Sequence, residues 1–172
     1  MDIFYCGCRL FSSFNPKKEM LALNLPRYET KICEKDGKLQ IFDPLRRNYV
    51  ALTPEEWVRQ HFVNFLCSNR NFPAALMANE VAITLNGMKR RCDTVVYDRE
   101  LRPRAIVEYK APSVKITKEV FAQISRYNLT LRVDYLIISN GLQHYCCRMD
   151  YGRNSYTFLQ EIPEYKTIAE EE

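Results

Sequence analysis

Apolar and polar residues along the chain switch between two periods, every second position and every third or fourth, and the switches mark the elements. Residues 1–19 hold neither period: Cys6, Cys8, Phe11 and Phe14 are scattered among small and polar residues, and the segment reads as peripheral. Residues 21–25 are a short apolar run ended by Pro26. Residues 30–33 and 38–42 are β-capable and flank Asp36-Gly37, a hairpin signal. Thr53-Pro54-Glu55-Glu56 opens a helix: Thr53 suits the cap, Pro54 the first turn, and Glu56 completes a capping box. Trp57, Val58, Phe62, Phe65 and Leu66 trace its apolar face, joined by His61, which reads as a packed core-edge residue. Residues 69–73 end the helix.

Three strands are expected next. Residues 81–85 run into Asn86-Gly87, a second hairpin signal; residues 92–97 lead to a turn at Asp98-Arg99-Glu100; residues 104–109 are almost continuously apolar and suit a strand buried on both faces. Val120, Phe121, Ile124, Tyr127 and Leu131 then recur at helical spacing over residues 117–131. Residues 134–139 form a further strand closed by Asn140-Gly141, with weaker strand signals at 145–149 and 155–159. From Pro163 the chain is expected to fray into an acidic tail, 163–172. The order helix, three strands, helix, strand predicts an α/β (α+β) fold, a mixed sheet with helices packed on it, within a single domain over 20–162 whose core spans about 50–150.

Composition narrows the class. The content is 47% hydrophobic and 12% aromatic, as for a globular chain. No apolar run approaches the ~18 residues of a membrane helix, and no secretory leader is visible, so a cytoplasmic protein without a membrane partner is expected. Seven cysteines show no Cys-x-x-Cys spacing and only His61 and His144 could join them, which argues for reduced, buried thiols over a zinc site. The net charge of +4 permits a nucleic-acid partner without demanding one; Lys89, Arg90 and Arg91 are the run best suited to phosphates.

The chemistry gathers on the three central strands. Glu80 begins the first and Asp93 the second, while Glu108 and Lys110 end the third, two apart and therefore on one side of it. If the second and third strands pair antiparallel, Asp93 and Glu108 meet at one edge. Carboxylates gathered beside apolar strands repel one another unless a cation relieves them. Magnesium suits a site of one or two carboxylates completed by waters and phosphate oxygens. Such an ion polarises a phosphate and acidifies a bound water, and Lys110, a compact ammonium, is suited to orienting that water or stabilising charge on the phosphate. A bare Glu-x-Lys on a strand is otherwise an ordinary ion pair.

Together, Asn79-Glu80-Val81, Arg91-Cys92-Asp93-Thr94-Val95-Val96-Tyr97-Asp98, Ile106-Val107-Glu108-Tyr109-Lys110-Ala111-Pro112, Gln123-Ile124-Ser125-Arg126-Tyr127-Asn128 and the strand ending Ser-Asn-Gly resemble the PD-(D/E)xK nuclease superfamily, and more narrowly the N-terminal nuclease domain of type I restriction enzyme R subunits. The resemblance covers about residues 50–150. It implies a restriction-endonuclease-like αβββαβ core and magnesium-dependent hydrolysis of DNA phosphodiesters, with manganese as a substitute. It makes Asp93 and Glu108 catalytic metal ligands, the Tyr109 carbonyl a further ligand, Glu80 an accessory ligand, Lys110 the catalytic lysine, Gln123 a catalytic residue at the edge of the site, and Tyr127, one helical turn further on, a nucleic-acid contact. Cys92 stands where the superfamily often has proline. The five glycines, at 7, 37, 87, 141 and 152, form no phosphate-binding loop, so no helicase motor is expected in this chain. The expected partners are DNA and separate helicase or specificity subunits, or a second copy. A non-catalytic DNA- or protein-binding module on the same fold is the alternative.

Overall fold

The structure is a computed structural model that describes residues 9–10, 21–85 and 88–170. The Asn86-Gly87 turn and most of 1–19 lie outside the described residues, as do the side chains of Arg90, Gln123 and Tyr127.

The first hairpin forms as the Asp-Gly signal predicts. β2 (Ile32–Lys35) and β3 (Lys38–Asp43) pair antiparallel across Asp36 and Gly37, whose φ values of 52° and 71° are the left-handed pair such a turn needs. β4 (Asn48–Ala51), which its sparse apolar pattern did not announce, extends this sheet, and β1 (Arg9–Leu10) forms the other edge. Residues 21–25 take no regular structure, although Leu23 and Leu25 pack on the core. Cys33 corrects the expectation of reduced thiols: it is disulfide-bonded, on the strand that β1 pairs with. Cys67, Cys92, Cys146 and Cys147 are free.

α1 (Pro54–Asn69) starts where the capping box places it, with Thr53 Oγ1 accepting from the Glu56 N–H at 3.0 Å. A single 3-10 turn (Ala74–Leu76) leads into the main sheet, which runs in the order β10-β9-β8-β7-β6-β5. Its strands are β5 (Met77–Leu85), β6 (Met88–Tyr97), β7 (Pro103–Tyr109), β8 (Tyr135–Ser139), β9 (His144–Asp150) and β10 (Ser155–Leu159). Only β7 and β8 pair parallel, because α2 (Lys118–Leu131) crosses over between them.

β7 shows why its run is apolar throughout. Ala105 and Val107 face one core with Val58, Phe62 and Leu66 of α1; Ile106 faces the other with Phe121 and Ile124 of α2. A third cluster, Ile32, Ile41 and Trp57, packs the small sheet onto α1. α1 therefore touches both sheets. No helix among the described residues is long and apolar enough to cross a membrane.

Past Pro163, residues 165–170 do not fray. They form α3 (Tyr165–Glu170), whose Ile168 is fully buried in the α1-side core. The Tyr165 hydroxyl donates to the Tyr97 carbonyl at 3.1 Å, and Arg104 Nε donates to the Ile168 carbonyl at 3.1 Å. Ile168→Ala should destabilise the protein by roughly 2–5 kcal/mol, the range for truncating a buried aliphatic side chain. Urea unfolding measures this; a change within about 0.5 kcal/mol, as at a surface position, would show that α3 is not part of the core.

Candidate active site

Three neighbouring strands carry the acidic residues to one place. β5 and β6 pair Asn79 with Thr94 and Val81 with Cys92, so Glu80 lies across from Asp93. β6 and β7 pair Thr94 with Val107, which sets Asp93 beside Glu108 one step along. The Tyr109 N–H donates to Asp93 Oδ2 at 2.9 Å. Lys110 follows two residues after Glu108, and its Nζ donates to Glu108 Oε1 at 3.3 Å. The structure thus brings Asp93, Glu108 and Lys110 together at the end of β7. Glu80 departs from the strand: its φ of 58° lies in the left-handed region, and it makes no ladder pair.

The counter-charge comes from α1, and the helical pattern gave no sign of it. Arg59 is 6% exposed. Its Nη1 lies 2.7 Å from Glu80 Oε1 and 3.2 Å from Glu56 Oε2, and its Nη2 donates to Asp93 Oδ1 at 3.0 Å. The guanidinium sits 5.6 Å from the Tyr109 ring centre. The Nη1 contacts are ion pairs without hydrogen-bond alignment, and Nε is buried without a partner. Glu56 in turn accepts from Arg46 Nη2 at 2.9 Å and Gln60 Nε2 at 2.7 Å.

Beneath the carboxylates runs a second chain of contacts. Asp43, at the end of β3, is fully buried; it accepts from the Leu45 and Arg46 N–H groups, from Arg46 Nε and from Asn79 Nδ2. Thr94 Oγ1 donates to Asn79 Oδ1 at 2.6 Å, which leaves the Tyr109 hydroxyl as donor to Thr94 at 3.0 Å. Burial alone would raise the Asp43 carboxyl, but these donors hold it below the usual range.

Proton affinity divides the three acids near the site. Burial, and then the charge of Asp93, push Glu108 up to about 7. Burial also raises Asp93, and the Tyr109 N–H and Arg59 only partly offset it. Glu80 is held low, since Arg59 and Arg91 outweigh its burial. Glu108 is 9% exposed, and its Oε2 is buried without a hydrogen-bond partner. Two adjacent carboxylates with raised proton affinity and one orphan oxygen fit a hard divalent cation, which would supply the missing positive charge. Among the described residues no three acidic, histidine or cysteine side chains converge in metal-ligand fashion. Asp93 and Glu108 lie side by side on β6 and β7, while the carboxylate of Glu80 meets Arg59 and Arg91.

Lys89 is exposed; the Arg91 side chain, 68% exposed, pairs with Glu80 at 3.0 Å. Both lie on β6. Gln123 and Tyr127 lie on α2, their side chains outside the described ones. His61 is a packed residue as expected, its Nδ1 2.9 Å from the Trp57 carbonyl and its ring 4.0 Å from the Trp57 ring.

The sequence profile of a family described as type I restriction enzyme R protein N terminus matches residues 54–163. A comparison with curated proteins finds no match. Among solved structures, the chain is similar to a fragment described as an HsdR subunit of a type I restriction enzyme from Vibrio vulnificus YJ016. The two are 18% identical, with a TM-score of 0.51, over 68% of this chain and 24% of that one. That likeness is one of fold, a mixed sheet flanked by helices, and the chain spans about a quarter of the other's length. With the profile covering more than half of its residues, the chain belongs to the type I restriction enzyme R protein N-terminal family.

Proposed function

We propose that this nuclease-like domain hydrolyses DNA phosphodiester bonds with magnesium, manganese serving as a substitute. The observation that carries the reading is the buried, unpartnered Oε2 of Glu108 beside Asp93 and Lys110. Asp93 and Glu108 would hold the ion, with the Tyr109 carbonyl as a further ligand. Bound there, the ion supplies a Lewis acid for the scissile phosphate and lowers the pKa of its water.

The chain's own groups do the positioning. The Tyr109 N–H and Arg59 each fix one Asp93 oxygen, so that carboxylate does not have to reorganise when substrate arrives. The Lys110 ammonium, already drawn to Glu108, is placed to orient the attacking water and to meet negative charge developing on the phosphate. Burial of Glu108 keeps bulk water from screening these charges. Lys89 and Arg91, exposed on β6, are suited to the flanking phosphates, with Arg90 between them; Gln123 and Tyr127 on α2 are the family-suggested residues at the edge of the site. DNA is the proposed substrate, and separate motor or specificity subunits, or a second copy, are the proposed partners.

Lys110→Ala and Glu108→Ala should each slow plasmid nicking in magnesium or manganese by roughly 10²–10⁴-fold, the span for losing a positioned proton-transfer or charge-stabilising group. Circular dichroism confirms the fold; both variants cutting at the wild-type rate would sink the proposal.

The same site fixes a pH dependence. Without metal, folding raises the Glu108 carboxyl from its ordinary value of 4.5 to about 7. Between those values the native state binds more protons than the unfolded one, so the stability Glu108 contributes is fully present below 4.5 and is lost as pH rises through about 7. In EDTA, the melting temperature of wild type should fall relative to Glu108→Gln over that window. Parallel pH profiles for the two proteins would contradict the assignment.

A further inference from the structure

Arg59 stands among the carboxylates of Glu56, Glu80 and Asp93. It holds Asp93 Oδ1 at 3.0 Å and contacts Glu80 Oε1 at 2.7 Å. The second Asp93 oxygen is on the Tyr109 N–H at 2.9 Å, and the second Glu80 oxygen is on Arg91 Nη1 at 3.0 Å. Both oxygens of Glu80 are thus engaged by arginine. The oxygen left over is Glu108 Oε2, on a residue nine-tenths buried. The backbone supports this division, since Glu80 leaves the β5 ladder with a φ of 58° at the residue whose carboxylate meets α1.

Resting on the metal-dependent reading above, we infer that Arg59 is a positioning residue acting as a built-in counter-ion. It orients Asp93, keeps Glu80 out of the ligand set, and limits the site to one divalent ion held by Asp93 and Glu108. A guanidinium that close to a divalent ion repels it, so the arrangement gives up metal affinity for a fixed geometry. That sets a sign which a purely structural ion pair does not share. Removing a structural partner loosens the site and weakens metal binding, whereas removing a counter-ion tightens it.

The test is manganese binding to the full chain, read by the electron paramagnetic resonance of free Mn2+ and by titration calorimetry. Wild type should take one ion. Folded Arg59→Met should bind its first ion about tenfold more tightly, the order expected when a unit positive charge beside a divalent ion is removed. It should also take a second ion, through the freed Glu80. The double variant Arg59→Met, Glu80→Gln should return to one ion. Plasmid nicking by Arg59→Met should slow despite the tighter binding, because Asp93 is no longer oriented.

Two ions on wild type overturn the inference, and that measurement decides even where Arg59→Met does not fold. So does folded Arg59→Met holding one ion at equal or weaker affinity. If neither wild type nor any variant binds manganese, the metal-dependent reading itself fails and takes the inference with it.

Discussion

Packing α1 against the six-stranded sheet takes the Arg59 guanidinium out of water, and a buried cation is stable only where anions surround it. Glu56 on its own helix, Glu80 on β5 and Asp93 on β6 provide them. Removing one partner of a buried ion pair typically costs about 3–5 kcal/mol, less where, as at Glu80 and Asp93, the partner keeps some contact with water. The helix position, the register of two strands and the orientation of Asp93 are therefore a single problem with one solution. The Tyr109 ring lies over the guanidinium and its backbone N–H holds Asp93, so β7 is bound into the same arrangement.

The constraint reaches beyond the family-matched region, which begins at residue 54. Arg46, from the turn between β3 and β4, holds Glu56, and Asp43 holds Asn79. Through Thr94 the second contact continues to the Tyr109 hydroxyl. The small N-terminal sheet therefore touches the site at two points. Its own core, Ile32 and Ile41, packs against Trp57 on α1, two residues before Arg59.

Much of this was legible in the sequence, for local reasons. Asp36-Gly37 favours a hairpin turn, Thr53-Pro54 suits a helix start, and Glu108 and Lys110, two apart at the end of β7, fall on one side of the chain. Antiparallel pairing of β6 with β7 then brings Asp93 to Glu108 with no further information. What was not legible depended on contacts between distant segments. Arg59 follows Glu56 by three positions, an ordinary helix-surface pair; its burial comes from the docking of α1. Asp43-Pro44 reads as a strand end, and only the fold puts Asn79 against it. α3 is too short for a helical period to show, and Pro163 imitates a terminator, yet Tyr165 and Ile168 fill a gap beside β7.

Glu80 shows how the two levels meet. A strand position opposite Asp93 would, in regular geometry, set two carboxylates side by side across the ladder, and like charges so placed are destabilising. Leaving the ladder with a left-handed φ costs a non-glycine residue on the order of 1–3 kcal/mol. Two arginine contacts offset that, and Glu80 ends below its ordinary proton affinity while Asp93 and Glu108 end above theirs. The strained backbone thus separates one acid from the other two. The unmet demand for positive charge is concentrated on Asp93 and Glu108, within reach of Lys110.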